Sequence, residues 1–362
     1  MIWIAGIVAI LSLSFLILAH EAGHFFVALW TGMKVEEFGF GYPPKMFSYR
    51  SKKSGIVYSI NWIPFGGFVK IKGEDGELGE GSFKEKSFSK KSAVILAGVT
   101  MNLLIAILLF GAVHLLGSPS VIEDNDTVAL NPYVQIAGVV SGSPADMAGI
   151  KIGDIINDIM IDADNGARNI STVGEVQNIV KENKGKEITL FFNRNGKEME
   201  ISLIPRTEYP DDEGAMGVGL VRAGLVKTVW YKVPVEALRT AWDLTKLIFV
   251  FLWDMLVRLF TKGQVPDDVV GPVGIVAMSG QIATMGLSYV LWVIGMVSLN
   301  LFLINLFPLP ALDGGRLIFL GIEKINGSSI NEKIERWIHV SGFVLLIILA
   351  VLITARDVIR LF

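Results

Sequence analysis

Three ionisable side chains stand close together near the start of the chain, inside an apolar run from Met1 to about Trp30. On a helix, residues four apart share a face, so His20 and His24 point the same way with Glu21 on the adjoining turn. This H-E-x-x-H arrangement offers two imidazoles for zinc and a carboxylate that can take a proton from metal-bound water. Ionisable residues in hydrocarbon are costly, and this location therefore indicates a functional site.

The composition indicates a polytopic membrane protein. Of the 362 residues, 52% are hydrophobic and 19% are charged, against about 25% charged in a typical soluble domain. The apolar residues gather in four blocks, each near the ~20 residues that cross a bilayer as a helix. The blocks cover residues of about 1–30, 93–116, 287–308 and 338–355. The chain has no cysteine, so a metal would need histidine and carboxylate ligands. No basic cluster indicates a nucleic-acid partner.

The charges between these blocks predict an orientation. Residues 33–91 hold 11 Lys/Arg against 7 Asp/Glu, a net of +4, whereas residues 117–284 hold 15 against 22, a net of −7. By the positive-inside rule the first segment is cytoplasmic and the second extracytoplasmic, which places the two histidines in the inner half of the first helix. Arg356 and Arg360 then fall outside, which the rule does not favour. The first block lacks the positive start of a secretory signal, and we expect it to be retained.

The cytoplasmic segment is predicted to contain a β-hairpin. Residues 56–63 and 67–72 alternate like strands around the turn Pro64-Phe65-Gly66, after a turn-rich stretch at 38–44. The apolar tip of this hairpin allows two interpretations. It packs on a small core of its own loop, or it dips toward the membrane site, where its edge can pair with an extended substrate.

The second and third apolar blocks carry further polar residues. Gly98 allows close helix approach, and Asn102 on the same face either bonds two helices together or serves the site. In the third block, Pro308 and Pro310 open the helix, which is tolerated beside a cavity or another helix. Asp313 follows at once, held by a Gly-Gly turn on the same inner side as the histidines. It can supply the third protein ligand of a catalytic zinc, leaving one position for water.

Residues 134–205 resemble a PDZ domain. The match consists of a strand at 136–140, the run S-P-A-x-x-A-G-I-x-x-G-D-x-I at 143–156, a helix at 173–181, and closing strands at 187–193 and 197–204. Such a domain offers a sheet edge to an extended peptide or a C-terminus. The alternative is that it binds no peptide and acts as a steric filter.

The segment from Trp230 to Lys262 repeats apolar residues at helical spacing but is interrupted by charges. This pattern favours an amphipathic helix on the outer surface. A fifth span is the alternative, and it would invert the topology after it.

Taken together, the motifs resemble the site-2 protease family of intramembrane zinc metalloproteases, and most closely its bacterial regulator-of-sigma-E type. The motifs are HEAGH in the first block, G-x-x-x-N in the second and N-x-x-P-x-P-x-L-D-G in the third, with Gly271-Pro272-Val273-Gly274-Ile275 before it. The resemblance covers nearly the whole chain. One departure is that the best-known Gram-negative enzymes carry two tandem PDZ domains, whereas this chain shows one.

The resemblance implies zinc bound by His20, His24 and Asp313, with Glu21 as general base and later proton donor; the residues alone lead to the same four. It further implies a set of substrate-positioning residues. The hairpin edge at Gly66–Ile71 can also hold an unwound substrate strand, and its residues are added to that set. That set is Asn102, Asn305, Pro308, Pro310, Leu312, Gly66, Gly67, Phe68 and Val69.

The expected fold class is a mainly α membrane protein: four transmembrane helices with a cytoplasmic membrane-associated β-hairpin and an inserted extracytoplasmic PDZ (α+β) domain. The expected location is the bacterial cytoplasmic (inner) membrane. The expected segments are a first transmembrane helix at 1–32, a loop with the hairpin at 33–92, a second helix at 93–116, a linker at 117–133, the PDZ domain at 134–206, amphipathic helices at 207–284, a third helix at 285–312, a cytoplasmic loop with L-D-G-G at 313–337 and a fourth helix at 338–362.

The expected function is cleavage of single-span membrane proteins within their transmembrane segment, the substrates being anti-sigma-factor-like proteins or remnant signal peptides. The sequence leaves two alternatives to this function. A catalytically silent scaffold that keeps the PDZ module is disfavoured by the intact metal motif. An ion or metal transporter is disfavoured because four spans without inverted repeats do not fit such a protein.

Overall fold

The computed structural model describes residues 2–74, 79–161, 166–194, 196–210, 213–262, 286–328 and 330–361. The chain forms two compact units. The helical unit comprises Met1–Gly111, Pro234–Ser279 and Val293–Phe362, and the sheet unit comprises Ala112–Val233 and Gly280–Trp292. The predicted motif at 271–275 lies outside the described residues.

The elements follow one another along the chain with long helices at both ends and strands in between. The helices are α1 (Ile2–Trp30), α2 (Phe88–Leu116), α3 (Pro144–Met147), α4 (Val173–Glu182), α5 (Val233–Lys262), α6 (Leu287–Leu306), α7 (Asp313–Asn326) and α8 (Glu332–Leu361). The strands are β1 (Val35–Arg50), β2 (Val57–Ile71), β3 (Ser118–Val121), β4 (Leu130–Val139), β5 (Ile155–Met160), β6 (Ala167–Asn169), β7 (Ile188–Arg194), β8 (Lys197–Leu203) and β9 (Val218–Val226).

Four of the described helices are long and apolar enough to cross a membrane. They lie at Gly6–Trp30, Phe88–Leu116, Leu287–Leu306 and Lys333–Arg356, which confirms the four apolar blocks predicted from the sequence. The protein is therefore a membrane protein with a β component. The long helix α5 is not among the four.

Helix α2 packs closely on both α1 and α6. A Cβ on Gly23 of α1 would lie 2.5 Å from the carbonyl oxygen of Ala97, so the two backbones touch. From α6, the Ser298 hydroxyl donates a 2.7 Å hydrogen bond to the carbonyl oxygen of Asn102. Small residues at these crossings let the helix backbones approach closely. Within a membrane the hydrophobic effect does not drive helices together, so van der Waals packing and hydrogen bonds of this kind hold them.

The two strands of the helical unit form a more elaborate sheet than the predicted hairpin. Both strands are bent, and Val35–Phe40 of β1 pairs with residues 67–71 of β2 on one side and with residues 57–60 on the other. Residues 57–60 run parallel to Val35–Phe40 and residues 67–71 run antiparallel to it, so the chain reverses direction between residues 60 and 67. Gly66, with φ +77°, lies in this reversal, where glycine adopts the left-handed conformation freely. The two predicted strands are therefore present and run in opposite directions, but their direct pairing is wrong, because Val35–Phe40 lies between them. Residues 67–71 form one edge, and no other described strand pairs with them.

The L-D-G-G segment is also different from its prediction as a loop and turn. Asp313, Gly314 and Gly315 form the first turn of helix α7. A Cβ on Gly314 would lie 2.6 Å from the carbonyl carbon of Leu306, and one on Gly315 would lie 3.0 Å from the carbonyl carbon of Leu309. The two glycines thus let the start of α7 pack against the backbone that leaves α6.

In the sheet unit, the strands run in the order β3-β9-β4-β5-β7-β8, with β6 paired to β5. The sheet takes in residues on both sides of the predicted segment 134–206. The buried core includes Ile136, Ile156, Ile188, Leu190 and Phe192. Helix α4 begins with a capping box between Thr172 and Glu175, which satisfies backbone donors at its first turn.

The first and last segments of the sheet unit lie side by side. Ser118 at the start of β3 pairs with Val226 at the end of β9. The pairing continues outward, since the N–H of Thr228 donates to the carbonyl oxygen of His114 at 2.9 Å. The His114 and Thr228 side chains also lie 3.1 Å apart, in hydrogen-bonding distance. We call this the neck of the sheet unit.

Candidate metal centre

Three donor atoms converge where α1 meets the start of α7. The Nε2 atoms of His20 and His24 lie 3.1 Å apart. The Asp313 Oδ2 lies 3.1 Å from the first and 3.3 Å from the second. Both histidines are buried, and the Asp313 oxygen has no hydrogen-bond partner among the described residues. A buried carboxylate oxygen in this situation is expected to have another partner, such as a metal ion.

The spacing of these atoms fits zinc. Ligands of a tetrahedral zinc lie at ~2.0–2.1 Å from the metal, so two of them are about 3.3 Å apart. The observed triangle matches that spacing on all three sides. Burial alone would raise the pKa of Asp313, but the adjacent His20 and His24 side chains outweigh burial and lower it. The carboxylate is therefore ionised, which is the form that binds a metal.

His24 is held from two sides by helix α2. Its Nδ1–H donates a 2.7 Å hydrogen bond to the carbonyl oxygen of Val94, which leaves the lone pair of Nε2 directed at the metal position. On the other side, a Cβ on Gly98 would lie 2.6 Å from Cε1 and 2.8 Å from Cδ2 of the ring. Glycine at position 98 thus makes room for the imidazole itself, as well as for close packing of the helices.

His20 has a partner behind its ring as well. Its Nδ1 lies 3.3 Å from the Nδ2 atom of Asn102, which is fully buried. The Oδ1 atom of Asn102 has no hydrogen-bond partner among the described residues. An amide can be turned to present either atom. With Oδ1 toward the ring, it accepts from Nδ1–H of His20 and leaves Nε2 as the metal-binding nitrogen.

Glu21 and the edge of the small sheet face the same cavity. The cavity has a volume of about 700 Å³, and both lie on its wall. A Cβ on Gly67 would lie 3.5 Å from Cγ of Glu21, so the edge segment 67–71 passes directly beside this carboxylate. The arrangement brings a proton acceptor, a candidate metal site and a strand edge without a second partner among the described strands to one cavity.

The structure brings together most of the predicted site residues. Those on the cavity wall are His20, Glu21, His24, Asp313, Asn305, Leu312, Gly67, Phe68 and Val69. The remaining predicted residues, Asn102, Pro308, Pro310 and Gly66, do not line it. Among these, Asn102 lies behind His20, and Gly66 is beside Tyr42 and Ile17.

Sequence reasoning missed several residues at this site. Arg316 on α7 forms an ion pair with Glu74, three residues after the end of β2, which joins the edge segment to the helix that begins with Asp313. His339 on α8 also lines the cavity. The one sequence signal for His339 is its position at the start of the fourth apolar block, where an imidazole is unusual.

The sheet unit has a separate groove of about 280 Å³ between α4 and β9. Its floor is apolar, with Val176 and Val180 from the helix and Val218 and Leu220 from the strand. Strand β3 pairs with β9 at residues 223–226 only. The part of β9 beside the groove therefore has one edge without a partner among the described strands.

Comparison with known proteins gives a family for this chain. The pattern of peptidase family M50 matches residues 8–349. Zinc metalloprotease RasP of Oceanobacillus iheyensis is 30% identical, and the match covers 98% of each chain. Regulator of sigma-E protease RseP of Escherichia coli strain K12 is 28% identical, covering 97% of this chain and 98% of its own. The protein belongs to peptidase family M50, the zinc-dependent site-2 proteases, and is a zinc metalloprotease.

Proposed function

We propose that this protein is an endopeptidase that hydrolyses the transmembrane segment of single-span membrane proteins, such as anti-sigma-factor-like proteins or remnant signal peptides. The observation that carries the proposal is the triangle of donor atoms from His20, His24 and Asp313. Glu21 lies on α1, the helix that carries the two histidines. These residues lie on one cavity among apolar helices. A site of this kind can reach a peptide bond that is itself in the membrane.

In the proposed mechanism, His20, His24 and Asp313 would hold zinc. Zinc, when bound, polarises water and acts as a Lewis acid toward the scissile carbonyl. Glu21 accepts the proton that water loses as its oxygen attacks the carbonyl carbon. Glu21 then donates this proton to the amide nitrogen as the C–N bond breaks, giving a carboxylate and an amine. Val94 and Asn102 keep each imidazole in the tautomer that binds metal.

The substrate must be unwound before it can be cut, because helical carbonyls are hydrogen-bonded within their own helix. We propose that the unwound strand adds to the edge at residues 67–71, which passes beside Glu21. Main-chain hydrogen bonds of this kind give affinity with little sequence preference. Asn305 and Leu312 line the same cavity and contact the substrate strand in this proposal. Pro308 and Pro310 shape the backbone between these two residues.

The orientation and segments predicted from the sequence are part of this proposal. The sheet unit carries the proposed PDZ domain on the extracytoplasmic face, and the small sheet faces the cytoplasm. The support is the charge difference between the two segments, a net of +4 in residues 33–91 against −7 in residues 117–284. The groove beside α4 is the support for peptide binding by that domain.

The test is Glu21→Gln in the full chain, reconstituted with a single-span substrate. Glutamine keeps the shape of the side chain but cannot accept a proton. We expect about one zinc per chain, as in the unaltered protein, and a loss of cleavage of at least ~100-fold. Cleavage at the original rate would remove Glu21 from the mechanism.

Asp313→Ala is the companion variant, measured by zinc affinity. A carboxylate ligand removed from a three-ligand site should weaken zinc binding strongly. Unchanged affinity would show that Asp313 is not a ligand.

A further inference from the structure

The backbone just before Asp313 adopts an unfavourable conformation. Ala311 has φ +74°, in the left-handed region. The other described non-glycine residue with positive φ is Asn131, and asparagine tolerates this region because its short polar side chain can hydrogen-bond locally. Alanine has no such compensation. A contact from outside the turn must therefore hold Ala311 in this conformation.

That contact comes from helix α8. The N–H of Ala311 donates a 2.9 Å hydrogen bond to Nδ1 of His339. One turn further along α8, Gly342 reaches the preceding residue, since a Cβ there would lie 2.9 Å from the carbonyl oxygen of Pro310. The imidazole and the glycine of α8 thus meet two consecutive residues of the turn.

The tautomer of His339 follows from this bond. A neutral imidazole has one accepting and one donating nitrogen, and Nδ1 accepts from Ala311. Nε2 then carries the proton, and within the described residues it has no hydrogen-bond acceptor. The Glu335 carboxylate is 4.0 Å away. The bond to Ala311 is therefore the main polar contact that fixes the ring.

From these observations we infer that His339 is a positioning residue for the metal centre: it holds Ala311 in the left-handed conformation that directs Asp313 toward His20 and His24. The inference rests on the proposed role of Asp313 as a ligand. Asp313 is only two residues beyond Ala311, and Arg316 of α7 donates its backbone N–H to Leu312 between them. A change at Ala311 therefore moves the start of α7 and the carboxylate with it.

The experiment measures zinc affinity of the full chain by competition with a chromophoric chelator, and kcat and KM with a single-span substrate. His339→Leu removes the acceptor, and we expect roughly ten-fold weaker zinc binding, as for other residues that orient a ligand. kcat should fall while KM stays within about two-fold. Val340→Leu is the matched control, because Val340 is the next residue and its side chain is exposed.

Two rescues separate positioning from general stability. His339→Asn places an oxygen near the position of Nδ1 and should restore most of the zinc affinity. Ala311→Gly in the His339→Leu background should also recover affinity, because glycine adopts positive φ without strain. Unchanged zinc affinity in His339→Leu, or no recovery in either rescue, overturns the inference.

If His339→Leu fails to fold, the comparison of His339→Asn with His339→Gln replaces it. Glutamine places its polar atoms at the position of Nε2, so the inference expects tighter zinc binding by the asparagine variant. Equal affinities would overturn it. Asp313→Ala separates the ligand role of Asp313 from the positioning role of His339. If Asp313→Ala binds zinc normally, the proposed ligand set is wrong. If Asp313→Ala loses zinc while the His339 variants keep it, only the role of His339 is wrong.

Discussion

His24 shows how tightly the candidate centre is fitted around one side chain. The carbonyl oxygen of Val94 accepts a hydrogen bond from Nδ1–H of the ring. Gly98 has no side chain and so leaves space for the imidazole. Metal sites depend on such supporting contacts because small displacements of a ligand spoil the coordination geometry.

Gly98→Ala tests this fit. Its methyl group would overlap the His24 imidazole, and overpacking of this kind costs about 1–3 kcal/mol. We expect zinc affinity to fall roughly 10- to 100-fold, measured by chelator competition. The control is Gly321→Ala on α7, where a Cβ meets no atom within 4 Å. Equal zinc affinity in the two variants would contradict the fit described for position 98.

Asn102 offers a second residue-scale prediction. Its amide lies 3.3 Å from Nδ1 of His20 and is fully buried. Asn102→Leu removes the polar partner of the imidazole, and we expect zinc affinity to fall about 10- to 100-fold. Asn102→Asp keeps an acceptor and should lose less. The sequence-based hypothesis that Asn102 contacts substrate predicts a different result, namely a higher KM with normal zinc affinity.

At the scale of elements, the edge segment 67–71 is the part of the small sheet that meets the cavity. Gly67→Val keeps an extended backbone, which β-branched residues favour, but its Cβ would lie 3.1 Å from the carbonyl oxygen of Gly39, so the paired strand must shift slightly. Its side chain would occupy the space next to Glu21 and Leu18. We expect normal zinc content and a loss of cleavage of about 100-fold, since displacement of a substrate by about an ångström has that effect.

The matched control for Gly67→Val is Ser48→Val. Ser48 is exposed and belongs to β1, where it pairs with Ser59 and not with the edge segment. Cleavage by the Ser48 variant should match that of the unaltered chain. A Gly67 variant that cleaves equally well would argue against strand addition at this edge.

The four apolar helices could be predicted because lipid requires about 20 apolar residues whatever the partners of a helix are. Strand pairing could not. The glycines and prolines of 38–44 resemble turn residues, and β1 does reverse direction there, but only the register shows that both of its halves pair with residues 57–60. The turn signature at Pro64-Phe65-Gly66 correctly predicts a reversal of the chain, but nothing in it shows that Val35–Phe40 lies between the two strands.

The candidate site was predictable to the same limited degree. Helical spacing puts His20 and His24 on one face, and their Nε2 atoms are indeed neighbours. The contacts of Val94 with His24 and of His339 with Ala311 depend on how whole helices are rotated about their axes. Helices that are apolar all round carry no sequence pattern that sets this rotation.

At the scale of the whole molecule, the sheet unit can be tested by removing it. Replacing residues 119–225 with a short Gly/Ser linker joins positions that are already paired in the neck. If the unit is a steric filter, the shortened chain should bind zinc normally and cleave a substrate that still carries a folded extracytoplasmic domain. The full chain should leave that substrate intact.

The alternative for the sheet unit is peptide binding in the groove beside α4. In that case removal should lower cleavage, chiefly through KM, for substrates with a newly exposed C-terminus. Cleavage of the two substrate types in parallel, with zinc content measured on the same preparations, decides between the filter and the peptide-binding domain.

The neck has a consequence for how such a chain can change over evolutionary time. Chain ends that lie side by side tolerate an insertion of almost any length, because the surrounding fold does not need to move. Ser118 and Val226 are paired, so a duplicated or unrelated soluble module can be accommodated between them without altering the spacing of the metal ligands. Catalysis and substrate selection are thereby free to diverge at different rates within one gene.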